Sequence, residues 1–273
     1  MTDLHMTSRP GYTGQLNGKI LERIRFLSKE LGLPNLESKF PHLKVTDGSW
    51  RKPVPANANL ADYIDHTQLR ADADDASIVL LCDEAKKFHF KAVCVNGCRV
   101  AECAKLLKGS GVQVACVSGF PLGQMTPSMK AAETREEIQH GAHDVDMVIN
   151  VGKMKSKAYR YVFEDIKAVC DVCNAAKAVS KVILETCLLT EEEIIDGCIL
   201  CVAAGATFVK TSTGFSTSGS TPEVVDIMLA VVGNAALVKA AGGVRDRSTA
   251  EQYVRAGVSR IGTSSGITIV SKL

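Results

Sequence analysis

One pattern of apolar and polar positions repeats from Asp62 almost to the end of the chain. A short apolar run is followed by a loop, then by a longer segment with apolar residues at helical spacing, and often by a glycine. Short apolar runs bounded by turn residues predict buried strands, and the helical spacing predicts amphipathic helices. The eight strands predicted in this way are 63–67, 91–96, 112–119, 144–150, 181–186, 208–212, 237–241 and 259–263.

Eight strand–helix units in about 215 residues predict an α/β fold, the (β/α)8 TIM barrel. A doubly wound open sheet is the competing architecture, but it usually has fewer strands. The segments between the strands carry helix signals. Thr190 with Glu193 forms a capping-box sequence, and Gly205 and Gly257 stand just past predicted helix ends. The strand count favours the barrel.

Residues 1–58 do not share this repeat, and they predict an N-terminal helical extension to a barrel that occupies 59–273. Apolar residues recur at helical spacing between 17 and 31, which predicts a helix, whereas 1–16 are polar and should be irregular. The prolines that follow predict a linker without regular structure, namely Pro34, Pro41, Pro53 and Pro55. We expect the extension to pack on the outside or the bottom of the barrel.

Alternation along the strands decides which side chains point to the barrel axis. In the fourth strand the apolar residues share one face, which should meet the surrounding helices and leave Asp146 on the axis. The same alternation directs inward Asp65, Thr67, Asp144, Asn150, Lys181, Glu185, Lys210 and Lys239. Structural barrel interiors are filled with Val, Ile and Leu. So many polar and charged side chains on one axis predict a functional site at the carboxyl ends of the strands.

Lys210 is the candidate nucleophile. At an ordinary lysine pKa of about 10.4, only about one side chain in 10³ is uncharged near neutral pH. Burial disfavours the ammonium form, and a second ammonium on the neighbouring strand, that of Lys239, disfavours it further. We therefore predict that neutral Lys210 attacks a carbonyl, and that Asp146 moves a proton on and off the carbinolamine through a water. The alternatives are a solvent-facing Lys210 on an edge strand and an Asp146 that only forms a structural ion pair.

The loops after the seventh and eighth strands are typical of a phosphate site. Gly242 and Gly243 allow close approach of the backbone to a ligand. The run 262–266 brings N–H groups and the hydroxyls of Ser264 and Ser265 to a predicted helix start. Either cluster alone would be a common turn. Because phosphate sites in this barrel occupy these two loops, the pair predicts a phosphorylated ligand.

The sequence resembles the deoxyribose-phosphate aldolase family. The matching stretches are Asp-His-Thr at 65–67, Cys-Val-Asn at 94–96, Gly-Phe-Pro-Leu-Gly at 119–123, and 144–150, 181–186, 209–214, 239–245 and 262–266. They cover the barrel in order. The resemblance implies a class I aldolase without a metal or other cofactor. Such an enzyme cleaves 2-deoxy-D-ribose 5-phosphate reversibly to D-glyceraldehyde 3-phosphate and acetaldehyde, in deoxyribonucleotide catabolism.

The resemblance also implies roles for matching residues. Lys210 matches the Schiff-base lysine, and Asp146 and Lys239 match proton-transfer residues. The positions that match phosphate-binding residues are Gly214, Gly242, Gly243, Ser264 and Ser265. The positions that match residues lining the sugar end of the site are Asp65 and Thr67. The expected partner is a small sugar phosphate, and the expected assembly is a homodimer or homotetramer, although the residues themselves leave the oligomeric state open. Two departures bear on rate and substrate range: the extension matches nothing diagnostic, and the chain stops soon after the eighth strand.

Two other functions fit the fold. A non-catalytic barrel would bind a sugar phosphate or a protein, but Lys210, Lys239 and Asp146 are all present, which argues against it. A transaldolase-like barrel would also use a Schiff base and would differ in its products.

Composition excludes further classes. The net charge of +2 arises from mixed signs, so neither nucleic acid nor a membrane is an expected partner. The pairs Cys170/Cys173 and Cys198/Cys201 have zinc-ligand spacing, but they fall within helical patterns without the glycines of a zinc knuckle. We interpret them as core residues of a reduced protein.

The last three residues, Ser271-Lys272-Leu273, form the peroxisomal import tripeptide. A specified tripeptide ends about one random chain in 8,000, so chance explains it poorly. We expect a peroxisome-class organelle, a peroxisome or a glycosome, with the import receptor as a partner if the tail is exposed. The cytoplasm is the alternative.

Overall fold

Eight parallel strands close into a barrel in chain order, and the last strand pairs with the first. The computed structural model describes residues 12–45 and 58–271. Within these ranges the predicted (β/α)8 TIM barrel is confirmed. The strands are β1 (Ile64–Gln68), β2 (Ala92–Val95), β3 (Gln113–Ser118), β4 (Asp144–Val148), β5 (Val179–Ile183), β6 (Phe208–Lys210), β7 (Leu237–Ala241) and β8 (Arg260–Thr263).

The fifth strand departs most from its predicted bounds of 181–186. It begins at Val179 and ends at Ile183. Glu185 then has a left-handed φ of 57°, and the 3-10 helix Thr186–Leu188 follows. The Glu185 carboxylate accepts hydrogen bonds from the hydroxyl and the N–H of Thr213 after β6. This tertiary contact satisfies the turn, so the strand ends earlier than its apolar residues indicate.

The helices follow the predicted order around the barrel. They are α1 (Tyr12–Leu31), α2 (Asp75–Phe88), α3 (Val100–Leu106), α4 (Pro127–Gln139), α5 (Val151–Lys155), α6 (Tyr159–Ala176), α7 (Glu191–Ala204), α8 (Pro222–Val232), α9 (Arg247–Ala256) and α10 (Gly266–Val270). The capping box of Thr190 and Glu193 begins α7, and Gly205 and Gly257 end α7 and α9 in the left-handed conformation. These local signals fix where each helix begins and ends.

Two apolar layers pack against the strands, one outside the barrel and one inside it. The larger lies between strands and helices, and it buries Val145, Met147 and Ile149, as the alternation predicts. The smaller lies inside the barrel and consists of Leu69, Ala92, Cys94, Ala115 and Val117, with Phe120 packed against it. The barrel interior is therefore apolar on the side of β2 and β3, which leaves the charged side chains on the other strands.

The N-terminal extension packs on the outer surface of the barrel. In α1 one face is buried, with Leu16, Ile20, Ile24, Leu27 and Leu31 at most 4% exposed, and it contacts α6, α7 and α8. Arg23 donates hydrogen bonds to both carboxylate oxygens of Asp196, at 2.7 and 2.8 Å. His42 contacts the Ala230 carbonyl of α8 at 3.0 Å. The helix therefore reaches the barrel through both an apolar face and an ion pair.

The extension is more regular than predicted. The helix begins at Tyr12 rather than near residue 17, so the irregular segment expected over 1–16 is wrong for 12–16. The proline-containing segment forms two short 3-10 helices, Leu36–Lys39 and Pro41–Lys44, because Pro41 fits the first position of a helical turn. Residues 1–11 and 46–57 lie outside the described ranges.

The cysteines of the two C-x-x-C pairs are buried on α6 and α7, and all four are free thiols. The described ranges contain no group of three or more His, Cys, Asp or Glu arranged to hold a metal ion. Among the helices of 12–45 and 58–271, none has both the length and the apolar character needed to cross a membrane.

Candidate active site

Seven charged side chains fill the part of the barrel interior opposite the inner apolar layer. They are Asp65, Asp144, Asp146, Lys181, Lys210, Lys239 and Arg260, each at most 6% exposed, and we call them the barrel charge cluster. Strand register brings them together, since Asp146 is the register partner of Lys181, and Lys239 that of both Lys210 and Arg260. The predicted inward direction of the first six is thus what the strands produce.

Asp146 lies at the centre of the cluster. Its Oδ2 accepts hydrogen bonds from both Lys210 and Lys239, each at 2.8 Å. Its Oδ1 accepts one from Lys181, also at 2.8 Å. One carboxylate oxygen is therefore shared by the two lysines that the sequence placed together.

The environments of these two lysines differ in electrostatic effect. Burial lowers the pKa of Lys210; the Asp146 carboxylate opposes this only in part, while the Lys239 ammonium adds to it. Burial alone would also lower the pKa of Lys239, but the carboxylates of Asp146 and Asp65 outweigh it, and the pKa of Lys239 is raised. Lys210 is therefore the lysine that loses its proton more easily, while Lys239 keeps its charge.

Two carboxylates of the cluster, those of Asp146 and Asp65, stay ionised. Burial favours protonation of Asp146, but Lys181, Lys210 and Lys239 hold its pKa well below the usual range. The pKa of Asp65 is also lowered, because Lys239, Lys181 and Arg260 together outweigh its burial. The cluster thus combines fixed negative charge with one amine that can be neutral.

Below Asp146 the cluster continues through Arg260, whose role the sequence analysis missed. Its Nη1 donates to Asp65 Oδ1 at 2.7 Å and lies 3.3 Å from Asp144 Oδ2. Lys181 also pairs with Asp144, at 2.7 Å. Alternation along 259–263 could have identified Arg260, because Ile261 faces the helices and its neighbours must face the axis.

A cavity of about 480 Å³ opens above Lys210 at the carboxyl ends of the strands. Of the residues predicted to contact substrate, the cavity is lined by Thr67, Gly214, Gly242, Gly243 and Ser264. Asp65 does not line it: the side chain is completely buried beneath Lys239, so the prediction that it contacts the sugar is not what the structure shows. Ser265 is also absent from the wall, and its N–H donates to the Thr263 hydroxyl at 2.9 Å.

The glycine-rich part of the cavity wall is built by close backbone contacts. Gly242 and Gly243 have left-handed φ angles of 84° and 81°. The Gly242 carbonyl accepts a hydrogen bond from the N–H of Ser220 at 3.0 Å, and a Cβ on Gly219 would lie 2.1 Å from that carbonyl oxygen. The loop after β7 therefore packs directly against the loop after β6, whereas a Cβ on Gly243 or Gly214 would meet nothing within 4 Å.

The cavity has further lining residues that the sequence did not single out. Phe215 lies on the wall, and its ring meets that of Phe120 edge to face at 5.3 Å. Arg245 also lines the cavity and brings a cation to the side of the glycine-rich loops. Contacts of this kind depend on how loops fold toward each other, and no periodicity in the sequence reports them.

The arrangement of Lys210, Asp146 and Lys239 suits the formation of an imine on Lys210. Lys210, a buried lysine with a lowered pKa, faces an open cavity and donates to the Asp146 carboxylate at 2.8 Å, and Lys239 donates to the same carboxylate oxygen. A carbonyl compound entering the cavity would meet the nucleophile first, with a proton donor and a proton acceptor beside it.

The sequence is similar to one family model and to the sequences of known aldolases. Residues 60–272 match the DeoC/LacD family aldolase. The chain is 57% identical over 212 residues to a deoxyribose-phosphate aldolase of Geobacillus sp. (strain WCH70), and this covers 78% of the chain and 95% of the relative. It is 55% identical over 210 residues to a deoxyribose-phosphate aldolase of Clostridium perfringens (strain SM101 / Type A), with 77% and 93% covered.

Solved structures of deoxyribose-phosphate aldolases are also similar to this chain. A structure assigned as deoxyribose-phosphate aldolase from Coccidioides immitis matches with a TM-score of 0.80 and 40% identity, covering 89% of this chain and 96% of that one. A tetrameric deoxyribose phosphate aldolase from Aeropyrum pernix matches with a TM-score of 0.72 and 31% identity, covering 77% and 89%. The similarity extends over the barrel that carries the charge cluster.

Proposed function

The chain belongs to the DeoC/LacD family of aldolases, and from that premise we propose that it cleaves 2-deoxy-D-ribose 5-phosphate reversibly through a Schiff base on Lys210. The products are D-glyceraldehyde 3-phosphate and acetaldehyde. The observation that carries the assignment of Lys210 is the shared Asp146 oxygen, since it places a lysine of lowered pKa beside a charged one. The relatives at 55–57% identity carry the same activity in their names.

The reaction follows from the positions of three side chains. The neutral Lys210 amine attacks C1 of the open-chain sugar, and the carbinolamine loses water to give an iminium. Loss of the proton from the C3 hydroxyl then breaks the C2–C3 bond, whose electron pair moves into the iminium to form an enamine and release glyceraldehyde 3-phosphate. Protonation of the enamine at C2 and addition of water release acetaldehyde and restore the amine. Asp146 and Lys239 serve as proton acceptor and donor in these steps, with water as the carrier.

The glycine-rich wall supports binding of the substrate phosphate. Gly214, Gly242, Gly243 and Ser264 line one side of the cavity, and backbone N–H groups in left-handed turns suit an anion. Thr67 lies on the same cavity wall, where it would contact the sugar. Asp65 acts instead from below, through its contact with Lys239.

Reductive trapping tests this assignment. Incubation with acetaldehyde and borohydride should add the mass of one ethyl group to the peptide that contains Lys210, and Lys210→Met should abolish both trapping and cleavage. Lys167→Met is the matched control, because that lysine lies exposed on α6 and pairs with Asp171. Trapping at Lys239, or none in the wild-type enzyme, would contradict the assignment. Product analysis separates this activity from a transaldolase-like one, which would transfer a larger fragment than acetaldehyde.

We propose that residues 59–273 form the catalytic unit and that 1–58 are an addition to it, because the barrel charge cluster and the family match at 60–272 both lie in the barrel. Self-association as a homodimer or homotetramer is also proposed, and the Aeropyrum pernix relative is described as tetrameric. Light scattering coupled to size-exclusion chromatography would decide it, and a mass of one chain at micromolar concentration would contradict it.

Localisation to a peroxisome or glycosome stays a prediction. It depends on the tripeptide Ser271-Lys272-Leu273, of which Lys272 and Leu273 lie outside the described residues. A fluorescent fusion that ends in these residues should be punctate in cells, and deletion of Leu273 should make it diffuse. A diffuse full-length fusion with a free C-terminus would favour the cytoplasm and remove the import receptor as a partner.

A further inference from the structure

Arg260 lies at the floor of the barrel charge cluster and touches neither Lys210 nor the cavity. Its guanidinium pairs with Asp65 Oδ1 at 2.7 Å and approaches Asp144 Oδ2 at 3.3 Å. Its side chain is 7% exposed, and the guanidinium lies 5.6 Å from the centre of the Phe208 ring. Because this buried arginine is not part of the cavity lining, it needs a role other than substrate binding.

The balance of positive and negative charges in the barrel charge cluster indicates that role. The cluster holds three carboxylates, which Lys181, Lys239 and Arg260 balance if Lys210 is neutral. Protonated Lys210 would leave one excess positive charge in a barrel interior that is almost sealed from water. Because unbalanced charge in a low-dielectric interior is costly, the balance itself favours the neutral amine.

A chain of contacts connects Arg260 to the nucleophile. Arg260 binds Asp65 Oδ1, Asp65 Oδ2 binds Lys239 at 2.5 Å, and Lys239 binds the Asp146 oxygen that Lys210 also uses. If Arg260 were absent, Asp65 would keep Lys239 at 2.5 Å and the more distant Lys181 at 3.8 Å, and it would hold Lys239 more tightly. Asp146 would then depend more on Lys210 for a positive partner, which favours the ammonium form of Lys210.

We propose that Arg260 is a positioning residue that holds Asp65 and thereby leaves Lys239 shared with Asp146, so that Lys210 stays a reactive amine. The inference rests on the proposed function in that Lys210 is the nucleophile. An arginine suits the position because a guanidinium keeps its charge at every working pH, whereas a lysine can lose it. The same residue therefore sets the charge balance without titrating itself.

The groups that face Lys210 or the Asp146 carboxylate come from several strands, and Lys181 of β5 donates to Asp146 Oδ1 at 2.8 Å. Cys94 of β2 carries a thiol whose pKa is raised by burial to about 11, so it stays neutral. Asp146 of β4 and Lys239 of β7 contact Lys210 or its partner directly, and β3 contributes the apolar residues Ala115 and Val117. Arg260 differs from all of these in contacting neither Lys210 nor Asp146: its nearest partner is Asp65 at 2.7 Å, with Asp144 at 3.3 Å, which makes its effect separable.

The experiment measures the pH dependence of trapping by acetaldehyde and borohydride at Lys210. In R260M the midpoint should move to higher pH, with trapping at neutral pH reduced at least tenfold and recovered at alkaline pH. R260K keeps the charge and should restore most of the neutral-pH trapping. R255M is the matched control, since Arg255 on α9 has a 73% exposed side chain and pairs with Glu251; its profile should equal that of the wild type.

A second variant keeps the test decisive if R260M does not fold. Asp65→Asn removes a negative charge from the same contact chain, so its midpoint should move in the opposite direction, to lower pH. If the wild-type enzyme is trapped at Lys210 and the midpoint of R260M is unchanged, this inference is overturned while the proposed function stands. If R260M does not fold, an unchanged midpoint in Asp65→Asn has the same meaning. Absence of Lys210 trapping in the wild-type enzyme would overturn the proposed function as well.

Discussion

Replacing Lys239 by methionine removes the cation that shares an oxygen with the nucleophile. Both ammonium nitrogens lie 2.8 Å from Asp146 Oδ2, so they are less than about 6 Å apart. With an effective dielectric constant of about 20, two charges about 5 Å apart repel by about 3 kcal/mol. Loss of that repulsion should favour the ammonium form of Lys210 by roughly a hundredfold. Asp146, freed from Lys239, would pair more strongly with Lys210 and act in the same direction.

The assay is the pH midpoint of borohydride trapping, because the midpoint reports the protonation of Lys210 even if Lys239→Met also slows proton transfer. We expect the midpoint to move to higher pH by an amount that matches the hundredfold change, and aldol cleavage to be lost. Lys167→Met, with an exposed side chain on α6, should leave the midpoint in place. An unchanged midpoint in folded Lys239→Met would mean that burial alone activates Lys210, and it would refute the reasoning.

Three further outcomes are expected. EDTA should leave trapping and cleavage intact, because the proposed steps use no metal; a loss restored by a divalent ion would contradict them. Ile24→Ala, at a fully buried position of α1, should lower the free energy of unfolding in urea by about 2–4 kcal/mol without changing trapping, whereas exposed Val79→Ala should cost less than about 0.5 kcal/mol. Burial raises the pKa of Glu137 from 4.5 to about 8, so the folded state holds an extra proton between these values and loses stability as the pH rises through them. Glu137→Gln should remove that slope, for a gain of at most about 4–5 kcal/mol near pH 8 in urea unfolding; the exposed neighbour variant Glu136→Gln should keep it.

The sequence predicted the barrel and the direction of the charged side chains, because alternation along a strand has a period of two and does not drift. Asp146, Lys210 and Lys239 follow from parity alone once the strands are recognised. Arg260 follows from the same parity, because its neighbour Ile261 faces the helices.

Other features of the site depend on distances across the barrel, which no local pattern reports. Alternation along β1 predicts that Asp65 points to the barrel axis, but it does not predict how deep in the barrel the side chain lies. That depth decides whether Asp65 contacts a substrate or pairs with Lys239. Glu185 shows the same limit, because its contact with Thr213 ends β5 early. The start of α1 was also misjudged, since packing against α6 and α7 can order polar residues that have little helical signal of their own.

The barrel charge cluster is a poor device for stability. Buried ion networks cost desolvation, and well-packed apolar side chains in their place are often as stable or more so. The chain already shows that alternative on the other side of the same interior, where Leu69, Ala115 and Val117 pack without charge. Stability comes instead from the layer between strands and helices and from the α1 face, both of which are apolar. The barrel packs apolar residues against β2 and β3, yet it keeps six charged side chains around Lys210. It is therefore organised for the protonation state of one amine, and the cost of those charges is the reason to assign them to catalysis rather than to folding.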